Sequence, residues 1–374
     1  MLFSNALSRT LRLAVIAIGT VPSTTALPQP ILTNPTTTTT TTRSAIQPRS
    51  QGIWETELHQ IPRGPRQGHA VTALGLEVVL LGGTTLSGGK DTTPAPLVEA
   101  YAPLTDSWRR LADLPTAMTH TNAASVHGKL YVLGGMTGTK GVLSPTSDSY
   151  KFSPFANRWE RIPDLPPATR RGAAAVAAWK DMIVVAGGVK HLNIFTGAQT
   201  TSNKVSAYNT ITKAWLAYPD LPDGGRDHAG GAVWNNTFYL VGGRMGGRSN
   251  VKADVFALDL KTPEAGWKKK ASMPTARGAF ALVELNDKLY AFGGEVSKGD
   301  RDAQTEAFGS IEVYDPQTDE WEVLDEMPLP RHSTGAGVVL GEIYIPGGAD
   351  AVGPGTATKT MQGYMPGGRV NGEL

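Results

Sequence analysis

The sequence predicts an all-β fold built from six consecutive units of four short strands each. Two regularities support this prediction. Gly-Gly pairs recur at a nearly constant step, and a period of about 50 residues is typical of repeat architectures. A second position lies the same number of residues before every Gly pair. It is Arg66 before the first pair and Arg331 before the last, and no insertion changes the interval in any unit. Such strict spacing indicates a rigid unit such as a tight hairpin. The pairs begin at Gly82, Gly134, Gly187, Gly242, Gly293 and Gly347.

Each unit contains the signals of four strands in a fixed order. A small-residue run, such as residues 172–176, predicts the first strand, and turn residues lead to a short apolar run that predicts the second. The Gly pair and a variable loop follow. An aromatic residue marks the third strand, a tryptophan shortly after it marks the fourth, and a Leu-Pro or Met-Pro corner ends the unit. The glycines permit positive φ and close backbone approach, while the aromatic rings supply apolar area between neighbouring sheets.

This order of a hydrophobic run, Gly-Gly, and spaced Tyr and Trp resembles the kelch repeat. The resemblance covers about residues 54 to 366 and repeats six times in register. It implies a six-bladed kelch-type β-propeller with four-stranded blades. We therefore expect the Gly, Tyr and Trp residues of the repeat to be core residues rather than a site.

The two ends of the repeat region predict how the ring closes. The sixth unit contains Tyr364 but no later tryptophan. The interval from Trp54 to Arg66 equals the interval from Trp159 to Arg171. An N-terminal strand around Trp54 should therefore complete the last blade, which removes two exposed sheet edges. The propeller is expected to span residues 51–368, with a short tail at 369–374.

The first 50 residues are predicted to lie outside the propeller. Residues 1–26 have the charged, apolar and small-residue pattern of a secretory signal, with Arg9 and Arg12 before an apolar core at 13–18. That core is too short to span a bilayer, although a membrane anchor is the alternative. Residues 27–50 are expected to form a Thr-rich, disordered and O-glycosylated linker. The chain is thus predicted to be secreted, with Asn235 as an N-glycosylation acceptor.

Composition excludes several function classes. The chain has no cysteine, so disulfides, thiolate metal sites and a cysteine nucleophile are impossible. The HExxH, GxSxG, P-loop and dinucleotide patterns are also missing from the sequence, and neither a metal nor a cofactor is predicted. Without residues 1–26, which contain two arginines and no acids, the balance is 33 basic to 33 acidic residues. Such a balance argues against nucleic acid or an anionic membrane as the partner.

The marked position before the Gly pair, called the repeated position below, predicts a binding site. Kelch-like propellers place the first strand innermost, so these positions should gather with the post-Gly loops at one mouth of the central channel. Guanidiniums there would bind carboxylates. The alternative is that they tie adjacent blades together, with Asp113, Asp164, Asp220 and Glu326 as partners. The repeated position is occupied by Arg66, Met118, Arg171, Arg226, Arg277 and Arg331.

The post-Gly loops add further candidates at the same mouth. Arg244 and Arg301 are predicted to contribute to ligand binding. Glu295 directly follows its Gly pair and is the candidate catalytic acid/base. Neighbouring arginines would lower its pKa and weaken that role.

Two functions follow, and whether the protein is an enzyme stays open. The first is a secreted module that binds an anionic small molecule, glycan or acidic peptide at the arginine-rich mouth. The second is a sugar-acid mutarotase or epimerase, implied by a resemblance to bacterial periplasmic sialic-acid epimerases with kelch repeats; Glu295 and Arg301 would act there. A copper oxidase similar to galactose oxidase is excluded, because its cofactor needs a Tyr crosslinked to a Cys.

Overall fold

The protein is a closed ring of six antiparallel sheets, as a computed structural model shows for most of the propeller region. The all-β, six-bladed prediction is therefore confirmed. The predicted signal sequence, the linker, the C-terminal tail and Arg301 lie outside the described residues. The structure describes residues 52–87, 91–193, 196, 198–296, 306–351 and 356–367.

The strands of each blade follow one another from the innermost to the outermost. Blade 1 contains β2 (Ala70–Leu74), β3 (Glu77–Leu81), β6 (Val98–Ala102) and β7 (Ser107–Arg110). Blade 2 contains β8 (Ala123–Val126), β9 (Lys129–Thr139), β10 (Val142–Ser153) and β11 (Arg158–Arg161). Blade 3 contains β12 (Ala175–Trp179), β13 (Met182–Ala186), β16 (Val205–Asn209) and β17 (Trp215–Tyr218). Blade 4 contains β18 (Gly230–Trp234), β19 (Thr237–Val241), β20 (Val255–Asp259) and β21 (Trp267–Lys270). Blade 5 contains β22 (Ala281–Leu285), β23 (Lys288–Phe292), β26 (Ile311–Asp315) and β27 (Glu320–Val323). Blade 6 contains β28 (Gly337–Val339), β29 (Glu342–Pro346), β30 (Met361–Met365) and β1 (Ile53–Glu55).

The loops after the Gly pairs form extra hairpins at one end of the channel, which we call the mouth. These hairpins are β4–β5 (Thr84–Ser87, Asp91–Pro94), β14–β15 (Val189–Asn193, Gln199–Thr201) and β24–β25 (Glu295–Val296, Glu306–Ala307). In blade 2 the long strands β9 and β10 continue past the Gly pair, and β10 pairs with β14 of the next blade. Helical structure in the described ranges consists of two 3₁₀ turns, Pro167–Thr169 and Pro263–Ala265. No helix in the described part of the chain is long and apolar enough to cross a membrane.

The N-terminal strand closes the ring as the sequence predicts. Strand β1 pairs antiparallel with β30, and Trp54 lies opposite Tyr364. The two rings are 4.8 Å apart between centroids, and Trp54 also meets Phe292 of blade 5 edge-on at 6.1 Å. Both the backbone ladder and this aromatic contact therefore join the first strand of the propeller to the last.

The tryptophans of the outer strands connect each blade to the one before it. The Nε1–H of Trp159 donates to the carbonyl of Ala112 at 2.8 Å, and Trp321 donates to Ala271 at 2.9 Å. At the seam, where the last blade meets the first, Trp108 of blade 1 donates to the carbonyl of His59 at 2.7 Å. In blades 1 to 5 the indole thus satisfies its polar atom at the interface while its ring packs between sheets, which confirms the structural role expected for these residues.

A second connection runs around the channel itself. In every blade one residue just before the inner strand has positive φ, and its N–H donates to the carbonyl of the equivalent residue in a neighbouring blade. For example, His120 donates to Gly68 at 2.6 Å, Ser333 donates to Ala279 at 2.7 Å, and Gly68 closes the circle by donating to Ser333 at 2.8 Å. We call this set the inner ring. It consists of Gly68, His120, Ala173, His228, Ala279 and Ser333.

Candidate functional site at the channel mouth

The five repeated arginines lie inside the blades rather than at the mouth. Their side chains are 0–1% exposed. Arg277 donates to the carbonyls of Gly293 and Ser310 at 3.0 and 2.9 Å, and its guanidinium pairs with the fully buried Glu312. Arg331 repeats this pattern by donating to the carbonyl of Gly347 at 2.9 Å. These side chains cannot contact a ligand in the channel unless the blades separate, so the geometry supports the alternative in which they tie the blades together.

The backbone of the same positions supplies the tie to the neighbouring blade. The second glycine of a pair donates its N–H to the carbonyl of the arginine in the next blade, as Gly188 does to Arg226 at 2.6 Å. Four of the five arginines therefore hold their own Gly turn through the side chain and the preceding Gly turn through the backbone. Arg171 is the exception, since its side chain donates to the carbonyl of Val185 and its own carbonyl accepts from the side chain of Asn122. In blade 2, Met118 occupies this position and packs in an apolar cluster with Tyr150.

Three of the four carboxylates that the sequence suggested as partners pair with other residues, and Glu326 pairs with none of the repeated arginines among the described residues, which is a correction to the prediction. Asp113 pairs with Arg63, Asp164 with Arg161, and Asp220 with Lys204. The partners of the arginines come instead from the third strands and the residue just before one of them, which strand register brings close, or from the loop directly before the arginine. They include Glu99 for Arg66, Glu312 for Arg277, Gln362 for Arg331, and Asp223 with Asp254 for Arg226.

A cavity of about 180 Å³ occupies the channel at the mouth end. Members of the inner ring line it, among them His120, His228 and Ser333. Next to the inner ring, each residue that follows the repeated position forms a bridge with the residue that follows the Gly pair. Three of these bridges contain ionisable residues: Asp227 with Arg244, Gly278 with Glu295, and His332 with Ala349. The ionisable residues of this layer are thus contributed by blades 4, 5 and 6.

We call Asp227, His228, Arg244, Glu295 and His332 the mouth cluster. All five are buried or nearly so; the exposed fraction is 0% for Asp227, 4% for Arg244 and 2% for Glu295. The guanidinium of Arg244 pairs with Glu295 of the next blade. Gly278 makes room for this pair, since a Cβ at Gly278 would lie 2.7 Å from Cγ of Arg244. The Nδ1 atom of His332 lies 3.6 Å from the other oxygen of Glu295.

Asp227 is the most completely bonded member of the cluster. Its Oδ1 lies 2.7 Å from Nδ1 of His228. The amide of Gln199 donates to both carboxylate oxygens at 2.7 Å, and the hydroxyl of Thr201 donates to Oδ2. Burial raises the pKa of Asp227, but the bond to His228 and the charge of Arg244 outweigh it and hold the pKa below its usual value. Asp227 is therefore an ionised carboxylate held by residues of blades 3 and 4.

The histidines at the mouth are neutral at physiological pH. Burial, reinforced by the charge of Arg244, lowers the pKa values of His228 and His332 to about 4. The pKa of His120 is well below 6.5 because of burial, the nearby His228 and Arg244. Arg244 itself stays charged, although burial lowers its pKa to about 10. The mouth therefore presents neutral imidazoles in the positive field of a buried guanidinium.

Two of the predicted site residues, Glu295 and Arg244, are brought together at the mouth. Asp227, His228, His332 and His120 were missed by the sequence reasoning, although each lies one or two residues after the repeated position. Asn235 lies exposed in the turn between β18 and β19, at the end of the blade away from the Gly pairs. In the described ranges, no group of three or more His, Asp or Glu residues is arranged to hold a metal ion.

Comparison with known proteins supports the repeat assignment. Residues 189–348 match the model of the KLHDC2/KLHL20/DRC7 Kelch-repeats domain, and residues 117–166 match the Kelch motif. The chain is 35% identical over 304 residues to Kelch-like protein terF of Aspergillus terreus, which covers 81% of this chain and 65% of that protein. It is 27% identical over 262 residues to Kelch-like protein 34 of Homo sapiens, covering 67% of this chain and 38% of that protein.

The chain thus spans 65% of the first of these relatives and 38% of the second. Among solved structures, that of YjhT aligns with a TM-score of 0.66, 18% sequence identity, and coverage of 81% of this chain and 96% of YjhT. At 18% identity, the similarity to YjhT is evidence for the fold alone.

Proposed function

This chain belongs to the kelch-repeat β-propeller family, and from that premise we propose that it binds a small carboxylate ligand, such as a sugar acid, at the mouth cluster. The observation that carries the proposal is the position of Arg244. Its guanidinium belongs to the mouth cluster, close enough to His120 and His228, which line the channel cavity, that its charge lowers the pKa of both and of His332. The guanidinium of Arg244 attracts an anion placed there, and this attraction competes with the repulsion from the carboxylates of Asp227 and Glu295.

The bonding of Arg244 supports a carboxylate as the group that is bound. A guanidinium has five N–H donors, and among the described residues the partner of Arg244 is Glu295. Its Nε is buried without a hydrogen-bond partner in the described part of the chain. Arginine binds carboxylates in a bidentate geometry, so a ligand carboxylate can share Arg244 with Glu295 or replace it.

The size of the cavity limits the ligand. At about 180 Å³ it is smaller than the pockets of about 300–1,000 Å³ that hold drug-sized ligands. A monosaccharide-sized molecule therefore fits this site better than a folded protein or a long peptide does.

Titration calorimetry with D-galacturonate and D-galactose tests the proposal, since these two sugars differ at the carboxylate. We expect galacturonate to bind more tightly, and Arg244→Gln to weaken it about 10- to 150-fold, as losing one charge-assisted hydrogen bond of about 1.5–3 kcal/mol requires. Arg109→Gln is the matched control because Arg109 is half-exposed and paired with Glu77 on the outer face. Equal binding of the two sugars, or undiminished binding by Arg244→Gln, contradicts the proposal.

An acid–base isomerase at the same site is the second candidate, and the pair of Asp227 and His228 favours it. A buried carboxylate that orients an imidazole is a common arrangement for a general base. In ring opening of a sugar acid, the base takes the proton of the anomeric hydroxyl while the bond from C1 to the ring oxygen breaks and the ring oxygen takes a proton. We expect the anomeric exchange rate of galacturonate, measured by NMR, to increase with protein and to fall for Asp227→Asn.

We also propose that the protein is secreted and glycosylated at Asn235. The pattern of residues 1–26 supports export, and the exposed turn that contains Asn235 supports access by a glycosyltransferase. N-terminal sequencing of protein from its native host should begin near residue 27. Treatment with an N-glycosidase should shift the mass of the wild type and leave Asn235→Gln unchanged. An intact Met1 on protein recovered from the cell interior contradicts the proposal.

A further inference from the structure

We propose that His120 and His228 present two hydrogen-bond acceptors to the channel cavity, and that they restrict the ligand to a carboxylate that also carries neighbouring hydroxyl groups. This inference rests on the proposed function, because it names the class of carboxylate that the mouth binds. It depends on the tautomers of the two imidazoles, and the neighbours of each ring determine these tautomers.

The tautomer of His228 is determined by Asp227. The carboxylate of Asp227 already receives hydrogen bonds from Gln199 and Thr201, and as an ionised group it can only accept. The Nδ1 atom of His228, 2.7 Å away, must therefore carry the hydrogen and donate it. A neutral imidazole has one N–H, so Nε2 of His228 is left with a lone pair.

The tautomer of His120 is determined by Thr119. The hydroxyl of Thr119 donates its hydrogen to the carbonyl of Gly68 at 3.1 Å. The same oxygen lies 3.1 Å from Nδ1 of His120. We assign the single hydroxyl hydrogen to the carbonyl, which can only accept, so the hydroxyl oxygen accepts from Nδ1. Nδ1 of His120 is therefore the donor, and Nε2 again carries a lone pair.

Both imidazoles line the same cavity. His120 and His228 are members of the inner ring, separated by Ala173, and their rings meet edge-on at 5.1 Å between centroids. Neither Nε2 has a hydrogen-bond partner among the described residues, and neither atom belongs to the fully buried unsatisfied atoms. Both acceptors are thus open to the cavity. A carboxylate has no donor for them, whereas a hydroxyl does, so the carboxylate of the ligand faces Arg244 and its hydroxyls face the histidines.

Three ligands of similar size separate this inference from the proposed function in titration calorimetry. D-Galacturonate has the carboxylate and the hydroxyls, D-galactose lacks the carboxylate, and cyclohexanecarboxylate lacks the hydroxyls. We expect cyclohexanecarboxylate to bind about 5- to 150-fold more weakly than galacturonate for each acceptor left unpaired. Equal binding of these two acids overturns the inference while leaving carboxylate binding intact. Equal binding of galactose and galacturonate overturns the proposed function, and binding of none of the three overturns both.

Variants then assign the preference to the two histidines. His120→Ala and His228→Ala are suitable because Ala173 and Ala279 occupy equivalent positions of the inner ring. We expect each variant to reduce the preference for galacturonate over cyclohexanecarboxylate at least about fivefold. His127→Ala is the control, since His127 is exposed at the other end of its blade, and it should leave this preference unchanged. An unchanged preference in both inner-ring variants overturns the inference, and so does their loss of affinity for both acids alike. If a variant fails to fold, the comparison of the three ligands on the wild type still decides the question.

The pH dependence gives an independent readout on the wild-type protein. Neutral acceptors predict that the affinity for galacturonate is constant between about pH 5.5 and 8. Protonated histidines that attract the carboxylate would instead make binding tighter as the pH falls through this range, and that result overturns the inference.

Discussion

The amide of Gly348 donates a 2.9 Å hydrogen bond to the carbonyl oxygen of Arg66, and this bond crosses the seam between the last blade and the first. Equivalent bonds join Gly83 to Met118 and Gly294 to Arg331 at 2.9 and 2.8 Å. Near the channel the seam is therefore built like most other blade junctions. What distinguishes blade 6 is its outer strand, because β1 comes from the other end of the propeller sequence.

Truncation of Trp54 should open the outer part of this seam. Trp54 packs against Tyr364 and Phe292, so we expect Trp54→Ala to lower the free energy of unfolding by about 3 kcal/mol. Urea unfolding followed by tryptophan fluorescence measures this change. Ile53→Ala in the same strand is the control, since Ile53 is 54% exposed and its loss should cost less than about 1 kcal/mol. Equal effects of the two substitutions would argue against closure by the Trp54 strand.

Removal of a repeated arginine should destabilise the fold without needing a ligand. Arg277 and Glu312 are both fully buried, so Arg277→Ala leaves an unpaired buried carboxylate and unpaired carbonyls. We expect a loss of about 3–5 kcal/mol. Arg109→Ala removes a half-exposed pair with Glu77 and should cost less than about 1 kcal/mol. If Arg277→Ala is as stable as Arg109→Ala, the arginines are not structural ties.

The sequence predicted positions along the strands better than it predicted side-chain directions. The constant spacing placed Arg277 beside its Gly pair, and the structure confirms that proximity through the bond to Gly293. Spacing alone carries no information on whether a guanidinium points into the blade or into the channel. Glu312, whose pairing with Arg277 turns the guanidinium into the blade, lies on the third strand. Only the register between strands brings it close to Arg277.

The mouth cluster shows the same limit. Glu295 was found because it directly follows a Gly pair, and its pairing with Arg244 follows from two adjacent post-Gly positions. Asp227 and His228 were overlooked because they follow an arginine whose regular spacing dominated the prediction. Comparing the two positions after the repeated residue across the six blades would have singled them out.

Acid should destabilise the propeller between about pH 6.5 and 4. Burial lowers the pKa of His69 to about 3, and the pKa values of His228 and His332 to about 4, from 6.5. In this window the unfolded chain binds more protons than the folded one, so stability falls as the pH falls. Each such histidine contributes about 1.4 kcal/mol per pH unit.

Urea unfolding at several pH values measures this slope. His69→Asn removes one of these histidines away from the mouth cluster, and the slope should then decrease by about one proton. A free energy of unfolding that is constant from pH 7 to pH 5 would contradict the burial of these neutral imidazoles.

Neutralising Glu295 should strengthen the binding of a carboxylate ligand. Glu295 is 2% exposed and pairs with Arg244, so it competes with the ligand for the same guanidinium. Glu295→Gln keeps the shape and a hydrogen-bond acceptor but removes the negative charge. We expect the Kd for galacturonate to fall at least about tenfold, because the charge-assisted bond to Arg244 becomes available to the ligand. The folded protein should lose some stability at the same time, because a buried guanidinium loses its counter-charge.

Glu312→Gln is the matched control, since it makes the same change in a buried pair with an arginine that lies inside a blade. It should lower stability without altering the Kd for galacturonate. If both variants change binding equally, the effect comes from general loosening of the propeller rather than from the mouth. The anomeric exchange rate adds a second discrimination. A Glu295→Gln protein that binds more tightly but no longer accelerates exchange would identify Glu295 as the acid/base of an isomerase, whereas tighter binding with unchanged exchange confines its role to competition for Arg244.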